Sequence, residues 1–256
     1  MKRLMLTIFT SIVIITGCSA ENKADKTEIT VSAASSMTDC LQELKNAFEN
    51  EYPSIKIHYN FGGSGSLRRQ IEQEAPIDLF FSASERDYQK VMDKDFVKKG
   101  DYLFGNSLVL IKSDQTSVNS IEELLKQDGK MAIGTPESVP AGTYAKEALK
   151  SWGKWNELKA TLVYTKDVAQ VLTLVNEGAA DLGIVYNSDM KRAKNVTVLK
   201  AIDADLHTSI GYYLAVIKDQ LPKEEEIVQA KDTFYKFALS DTAKEVYKKY
   251  GFTVEK

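Results

Sequence analysis

The sequence predicts an α/β protein whose open, mostly parallel sheets carry helices on both faces. Three observations predict it. Strand-like and helix-like segments alternate in the order βαβαβ in both halves of the chain. The strands include apolar runs such as Ile77 to Ser82 and Leu182 to Tyr186, of the kind buried on both faces of a parallel sheet. No long linker, repeat array or low-complexity tract interrupts the chain after residue 28.

The first 17 residues stand apart from that fold. Lys2 and Arg3 precede an apolar run from Leu4 to Ile15, which is too short to span a membrane and reads as an export signal. Its ending, Ile15-Thr16-Gly17-Cys18, resembles a bacterial lipobox, in which cleavage before the cysteine leaves that cysteine lipidated. Residues 1–17 are therefore expected to be a lipoprotein signal peptide, and Cys18 a lipid anchor that holds the protein to the outer face of the cell membrane. Residues 18–28 are polar and aperiodic and read as a flexible tether, so that the folded body begins near Ile29. The remaining length suits one large α/β domain or two lobes of about 100 residues each.

Removing the signal leaves 31 basic against 36 acidic residues, a net charge of −5. That balance argues against a nucleic-acid partner, which would need a basic stripe. Cys40, beside Leu41 and Leu44 on a helical pattern, reads as a small core residue without a disulfide partner. The two histidines, His58 and His207, have neither metal-ligand nor triad spacing, so no cofactor or metal ion held by histidine is expected.

In chain order, Ile29 to Ala34 is a strand ending in Ser35 and Ser36. Met37, Leu41, Leu44 and Phe48 then mark a helical face, with Ser36 expected as its N-cap and Asp39 as an imperfect capping box. Ile55, Ile57, Tyr59 and Phe61 alternate with polar residues as a strand should. The turn Gly62-Gly63-Ser64-Gly65-Ser66 leads from it into a helix carrying Leu67 and Ile71. Ile77 to Ser82 is a strand, and the segment with Tyr88, Val91 and Met92 a helix. Tyr102 to Ile111 is a strand broken by Gly105 and Asn106, and Ser120-Ile121-Glu122-Glu123 opens a short helix with a capping box. Lys130 to Gly134 is a strand, Thr135 to Val139 a loop, and Pro140 sits in the first turn of the next helix. After a strand at Leu162 to Tyr164, Val168, Val171, Leu172 and Val175 give an i, i+3, i+4, i+7 helix ending near Gly178. Leu182 to Tyr186, Val196 to Ile202 and Ile210 to Ile217 are strands. Two C-terminal helices follow, the second stopping at Gly251.

In open sheets of this kind a ligand sits at the carboxyl ends of the strands, where helix N-termini converge. Four junctions have that character, at Ser36, Ser64, Ala141 and Val168, and Tyr186 ends a strand with a phenolic donor. Unpaired N–H groups and the positive end of the helix dipole suit each junction to an anion. None of these positions is Lys, Arg or His. Each residue alone also fits a structural role: Ser36 as a cap, Ser64 as a turn residue, Ala141 and Val168 as helix starts, Tyr186 as a core tyrosine.

The segments TVSAASSMT (30–38), GGSGSLRRQI (62–71), DLFFSA (78–83), LFGNSLVLI (103–111), GTPESVPAGTYAKEAL (134–149), DVAQVLTLV (167–175), LGIVYNSD (182–189) and KKYGF (248–252) together resemble the molybdate-binding proteins that feed ABC importers. The resemblance covers essentially the whole chain after the tether. It implies a two-lobe fold of the type II periplasmic-binding-protein class, each lobe a mostly parallel sheet flanked by helices, with the ligand cleft between lobes. The family's ligand positions fall on Ser36, Ser64, Ala141, Val168 and Tyr186, which hold the oxyanion by hydrogen bonds alone; junction chemistry and resemblance form one reading here, not two. The chain carries more glycine around Ser64, at Gly62, Gly63 and Gly65, where relatives can carry serine. The resemblance further implies molybdate or tungstate as ligand, the permease and ATPase subunits of an ABC importer as partners, and a monomer. Residues 29–107 with 211–256 would form lobe one and 108–210 lobe two, crossing near Tyr102 to Ile111 and before Tyr212. A receptor for another tetrahedral oxyanion, sulfate foremost, is the alternative. A hydrolase using Ser36 or Ser64 lacks a credible base, because neither histidine lies in a junction.

Overall fold

The computed structural model describes residues 26–254. The signal peptide expected over residues 1–17, the lipid expected on Cys18 and most of the expected tether lie outside the described residues. The chain opens with β1 (Thr27–Ala34), a 3-10 turn (Ser35–Met37) and α1 (Thr38–Glu51). β2 (Ile55–Gly62), α2 (Ser64–Glu72), β3 (Leu79–Ser82), α3 (Glu85–Asp93) and β4 (Val97–Gly105) follow. A second series runs β5 (Leu108–Ser113), α4 (Ile121–Lys126), β6 (Met131–Gly134), α5 (Pro140–Ser151), the short α6 (Trp155–Leu158), β7 (Leu162–Thr165), α7 (Val168–Asn176), β8 (Leu182–Tyr186) and β9 (Val196–Ile202). The chain then returns with β10 (Gly211–Ile217), α8 (Glu225–Ala238) and α9 (Asp241–Lys249).

These strands form two five-stranded sheets, ordered β2-β1-β3-β10-β4 and β7-β6-β8-β5-β9. Each sheet is the floor of one lobe. Both are mixed: β10 runs antiparallel to β3 and β4, and β5 antiparallel to β8 and β9. The reversal has a simple cause, because β5 and β10 are the strands by which the chain enters one lobe from the other. Leu108, at the start of β5, pairs with Tyr186 at the end of β8, and Gly211, at the start of β10, pairs with Gly105 at the end of β4. The chain thus crosses at the strand ends that face the cleft, and the entering strand can only run away from it.

Helix assignment follows the apolar spacing. Val168, Val171, Leu172 and Val175 are all buried along α7, as are Cys40, Leu41, Leu44 and Phe48 along α1. Several boundaries differ from the sequence expectation, those of β1 and β4 among them. β1 begins at Thr27, where Thr27 and Glu28 pair with Ile55 and Lys56 although Glu28 is exposed and polar. β4 begins at Val97, and its stretch Lys98 to Tyr102 escapes the apolar pattern because it lies half open at the edge of the sheet.

The C-terminal segment backs the crossing. Gly251, at φ 86°, ends α9 and turns the chain so that Thr253 exchanges two backbone hydrogen bonds with Gly105. Phe252 then packs on Phe104 and Tyr212, with ring centroids 4.5 and 5.2 Å away. The closing KKYGF segment therefore holds both crossings from behind.

Candidate functional site

All five residues marked in the sequence line one small cavity of about 10 Å³ between the lobes. Ser36 and Ser64 come from the elements of the first sheet, and Ala141, Val168 and Tyr186 from those of the second. No residue that lines the cavity is charged; its walls also include Ala34, Ser35, Gly62, Gly63, Ala83, Val139 and Pro140.

The helix starts facing this cavity lack the serine cap that α3, α4 and α9 carry. α3, α4 and α9 are each capped by a serine, Ser84, Ser120 and Ser240, which accepts an N–H of the first turn. The 3-10 turn at Ser35, α2 and α5 have Ala34, Gly63 and Val139 in the cap position, with no side-chain bond. α7 is capped by Asp167, but that carboxylate takes the N–H of Gln170, farther along the turn than Val168. First-turn N–H groups have no partner inside their helix. The three starts without a capping carboxylate therefore bring donors and a partial positive charge of roughly 0.5 to the cavity wall, and α7 brings its first N–H groups.

Ser36 is not the N-cap expected from the sequence. It lies inside the 3-10 turn, α1 starts after Met37, and neither cap makes a side-chain bond. The 3-10 turn displaces the start of α1 by one residue and leaves the Ser36 hydroxyl free to meet the Tyr212 hydroxyl at 2.8 Å. Ser64 is the first residue of α2 and fully buried; its Oγ accepts the Ala83 N–H at 3.0 Å. Ala141 is the second residue of α5, behind Pro140, and Val168 the first of α7.

Tyr186 ends β8 with its ring against Tyr212, centroids 5.9 Å apart. Its N–H donates to the buried Asp189 carboxylate at 3.1 Å, so only the hydroxyl is left for the cavity. That hydroxyl is buried and has no hydrogen-bond partner among the described residues. Burial, followed by the neighbouring Tyr212, holds its pKa far above the usual tyrosine value, so it remains a donor. Asp189 itself is pushed up to about 6 by burial, against the pull of Arg192 and the Tyr186 N–H.

Two further features escaped the sequence reading. Tyr212 and Asn106 sit at the two crossings and bond to one another at 3.3 Å, a contact between residues 106 positions apart that no local pattern signals. The glycines also have an unexpected task. A Cβ on Gly63 would lie 2.7 Å from the Ser138 carbonyl oxygen and 3.0 Å from that of Lys166, and one on Gly65 would lie 3.0 Å from Ser138 backbone. They make room for the opposite lobe. His58 is an exposed partner of Glu28, His207 packs beside Tyr144, and neither lines the cavity.

Comparison with known proteins follows the same geometry. Residues 29–253 match the family described as bacterial extracellular solute-binding protein. The chain is 39% identical, over 98% of both sequences, to the putative ABC transporter substrate-binding lipoprotein YvgL of Bacillus subtilis. It is 35% identical, over the full length of both, to the molybdate-binding protein ModA of Escherichia coli. The solved substrate-binding domain of a putative molybdenum ABC transporter from Clostridium difficile superposes with a TM-score of 0.65 at 34% identity. That match covers 90% of this chain and all of the other. With its two mixed sheets, its paired crossings and a donor-lined cavity between lobes, this chain belongs to the bacterial extracellular solute-binding protein family.

Proposed function

We propose that the chain is an extracytoplasmic receptor that takes up molybdate, and with it tungstate, between its two lobes and delivers it to an ABC importer. The observation that carries this reading is the cavity itself. It gathers uncapped helix starts, two serine hydroxyls and the buried Tyr186 hydroxyl, with no charged side chain in its wall. Such a wall offers donors and partial positive charge, which suit a fully ionised oxyanion. Charge-assisted hydrogen bonds contribute about 1.5–3 kcal/mol each, so a handful offset the several kcal/mol needed to desolvate each charge. The names of the relatives, ModA of E. coli and the molybdenum transporter domain of C. difficile, favour molybdate among such anions.

In this reading Ser36 and Ser64 bind from lobe one, residues 29–107 with 211–256. Ala141 and Val168, through their N–H groups, and Tyr186, through its hydroxyl, bind from lobe two, residues 108–210. Only the closed form makes all these bonds, so the anion stabilises closure and the importer reads the closed form. The protein binds without catalysing a reaction, since among the described residues no charged side chain or histidine lines the cavity beside either serine. It acts as a monomer held to the membrane by lipid on Cys18, which the lipobox-like sequence and the lipoprotein name of its B. subtilis relative support. An anion that still carries a proton would leave its O–H unpaired against a wall of donors, which disfavours phosphate. Sulfate shares molybdate's charge and shape and must be rejected by size.

Thermal unfolding of the soluble domain with each oxyanion tests the proposal. A ligand at a hundred times its Kd adds about 2.7 kcal/mol of stability. Molybdate and tungstate should raise Tm, and a Tm unmoved by either would overturn the reading.

A further inference from the structure

We propose that Asn106 and Tyr212 are positioning residues that fix the direction of the Ser36 proton, making this serine a donor to the bound anion; the inference rests on the oxyanion reading of the cavity. Its basis is a chain of hydrogen bonds through both crossings. Asn106 Oδ1 accepts the N–H of Ser107 at 2.9 Å, a group that can only donate, so the side-chain amide has one orientation. Its Nδ2 must then donate, and does so to Ser188 Oγ at 2.8 Å and to the Tyr212 hydroxyl oxygen at 3.3 Å. Tyr212 is fully buried, and its remaining close partner is Ser36 Oγ at 2.8 Å.

Either hydroxyl of that last pair could donate by distance alone, and Asn106 decides between them. If Ser36 donated to Tyr212, the Tyr212 proton would have no acceptor among the described residues, because Asn106 offers it only N–H and the Tyr186 hydroxyl makes no hydrogen bond there. Tyr212 therefore donates to Ser36, whose own proton is left for the cavity that Ser36 lines. Ser64 is loaded in the same sense, since its oxygen already accepts the Ala83 N–H. Both lobe-one serines thus face a ligand as donors, and the relay reaches from Ser188, beyond one crossing, to Ser36, beyond the other.

The test compares wild type, Asn106→Asp and Tyr212→Phe by calorimetric titration with molybdate and with hydrogen phosphate. Mildly alkaline buffer keeps both anions doubly negative. A carboxylate at position 106 keeps the bond from Ser107 but can only accept. It draws the Tyr212 proton to itself, Tyr212 then accepts from Ser36, and Ser36 turns a lone pair toward the anion. Added negative charge weakens both dianions alike, so the ratio of their affinities isolates proton direction. The ratio of molybdate to hydrogen phosphate affinity should fall roughly tenfold or more in Asn106→Asp, the worth of one hydrogen bond to a charged group. In Tyr212→Phe, which frees the Ser36 proton without reversing it, the ratio should fall by less. Wild-type binding of molybdate with the same ratio in both variants overturns the relay and leaves the site standing. Failure of the wild type to bind either anion overturns the oxyanion reading itself. Should Asn106→Asp fail to fold, an unchanged ratio in the isosteric Tyr212→Phe is enough to overturn the relay.

Discussion

The N–H of Gly65 donates to the carbonyl of Ser138 at 3.1 Å, joining the first turn of α2 in one lobe to the β6–α5 loop of the other. This bond exists only while the lobes touch, and the absence of side chains at Gly63 and Gly65 permits it. Gly63 has φ −71° and ψ 133°, an ordinary extended conformation, so alanine there strains nothing within its own lobe. Gly63→Ala should fold normally and lower oxyanion affinity roughly tenfold or more, because its methyl meets the Ser138 and Lys166 carbonyls on closure. Small-angle scattering at saturating ligand should find the variant more extended than wild type. Unchanged affinity and shape would mean that the lobes close elsewhere.

Tyr186→Phe should separate binding from stability. The hydroxyl is a buried donor without a partner among the described residues. Its removal should leave the ligand-free protein as stable as before, or about 1 kcal/mol more so. Loss of a bond to a charged ligand should meanwhile weaken oxyanion binding by about 1.5–3 kcal/mol. Calorimetry and thermal unfolding on the same samples check both signs. A variant that binds as tightly as wild type would reduce Tyr186 to a packing residue.

Ser64→Ala and Ser36→Ala should differ in kind. Ser64 Oγ satisfies the buried N–H of Ala83, so its loss strands a donor and costs about 1–3 kcal/mol of stability besides affinity. Ser36 is only half-buried, so water can replace its oxygen as the acceptor for Tyr212, and its removal should cost affinity with a smaller change in Tm. Denaturant unfolding of the two ligand-free variants checks the contrast.

Asp189 gives a pH signature. Burial raises its pKa from 3.8 to about 6, so the folded state holds this proton more tightly than the unfolded state does. A raised carboxylate pKa contributes stability that is fully present below the unfolded value and is lost as pH rises through the folded value. Wild-type stability should therefore fall relative to Asp189→Asn between pH 3.8 and about 6, by about 1–3 kcal/mol. Denaturation curves for both proteins across that range check it, and parallel pH profiles would show that Asp189 does not titrate with folding.

Much of this molecule was legible before the structure because its signals are local. The spacing of Val168, Val171, Leu172 and Val175 sets α7, and the run Leu182 to Tyr186 sets β8 with the same ends. The five positions that line the cavity stood out for the same reason, as each sits at a strand–helix junction or strand end. What stayed hidden depends on distant partners. The reversal of β5 and β10 follows from where the chain crosses, and Ser36 missed its expected cap because a 3-10 turn intervenes. The bond from Ser36 to Tyr212 spans 176 positions and leaves no periodic trace. The clearance that Gly63 and Gly65 give the other lobe stayed hidden too, since only the folded chain brings Ser138 and Lys166 against them.

The central claim is that a wall of donors between these lobes selects molybdate from anions of like charge. Competitive calorimetric titration of the soluble domain with molybdate against sulfate tests it most directly. Molybdate should displace sulfate completely, with an affinity higher by an order of magnitude or more. Equal affinity for the two, or tighter binding of sulfate, would contradict the assignment.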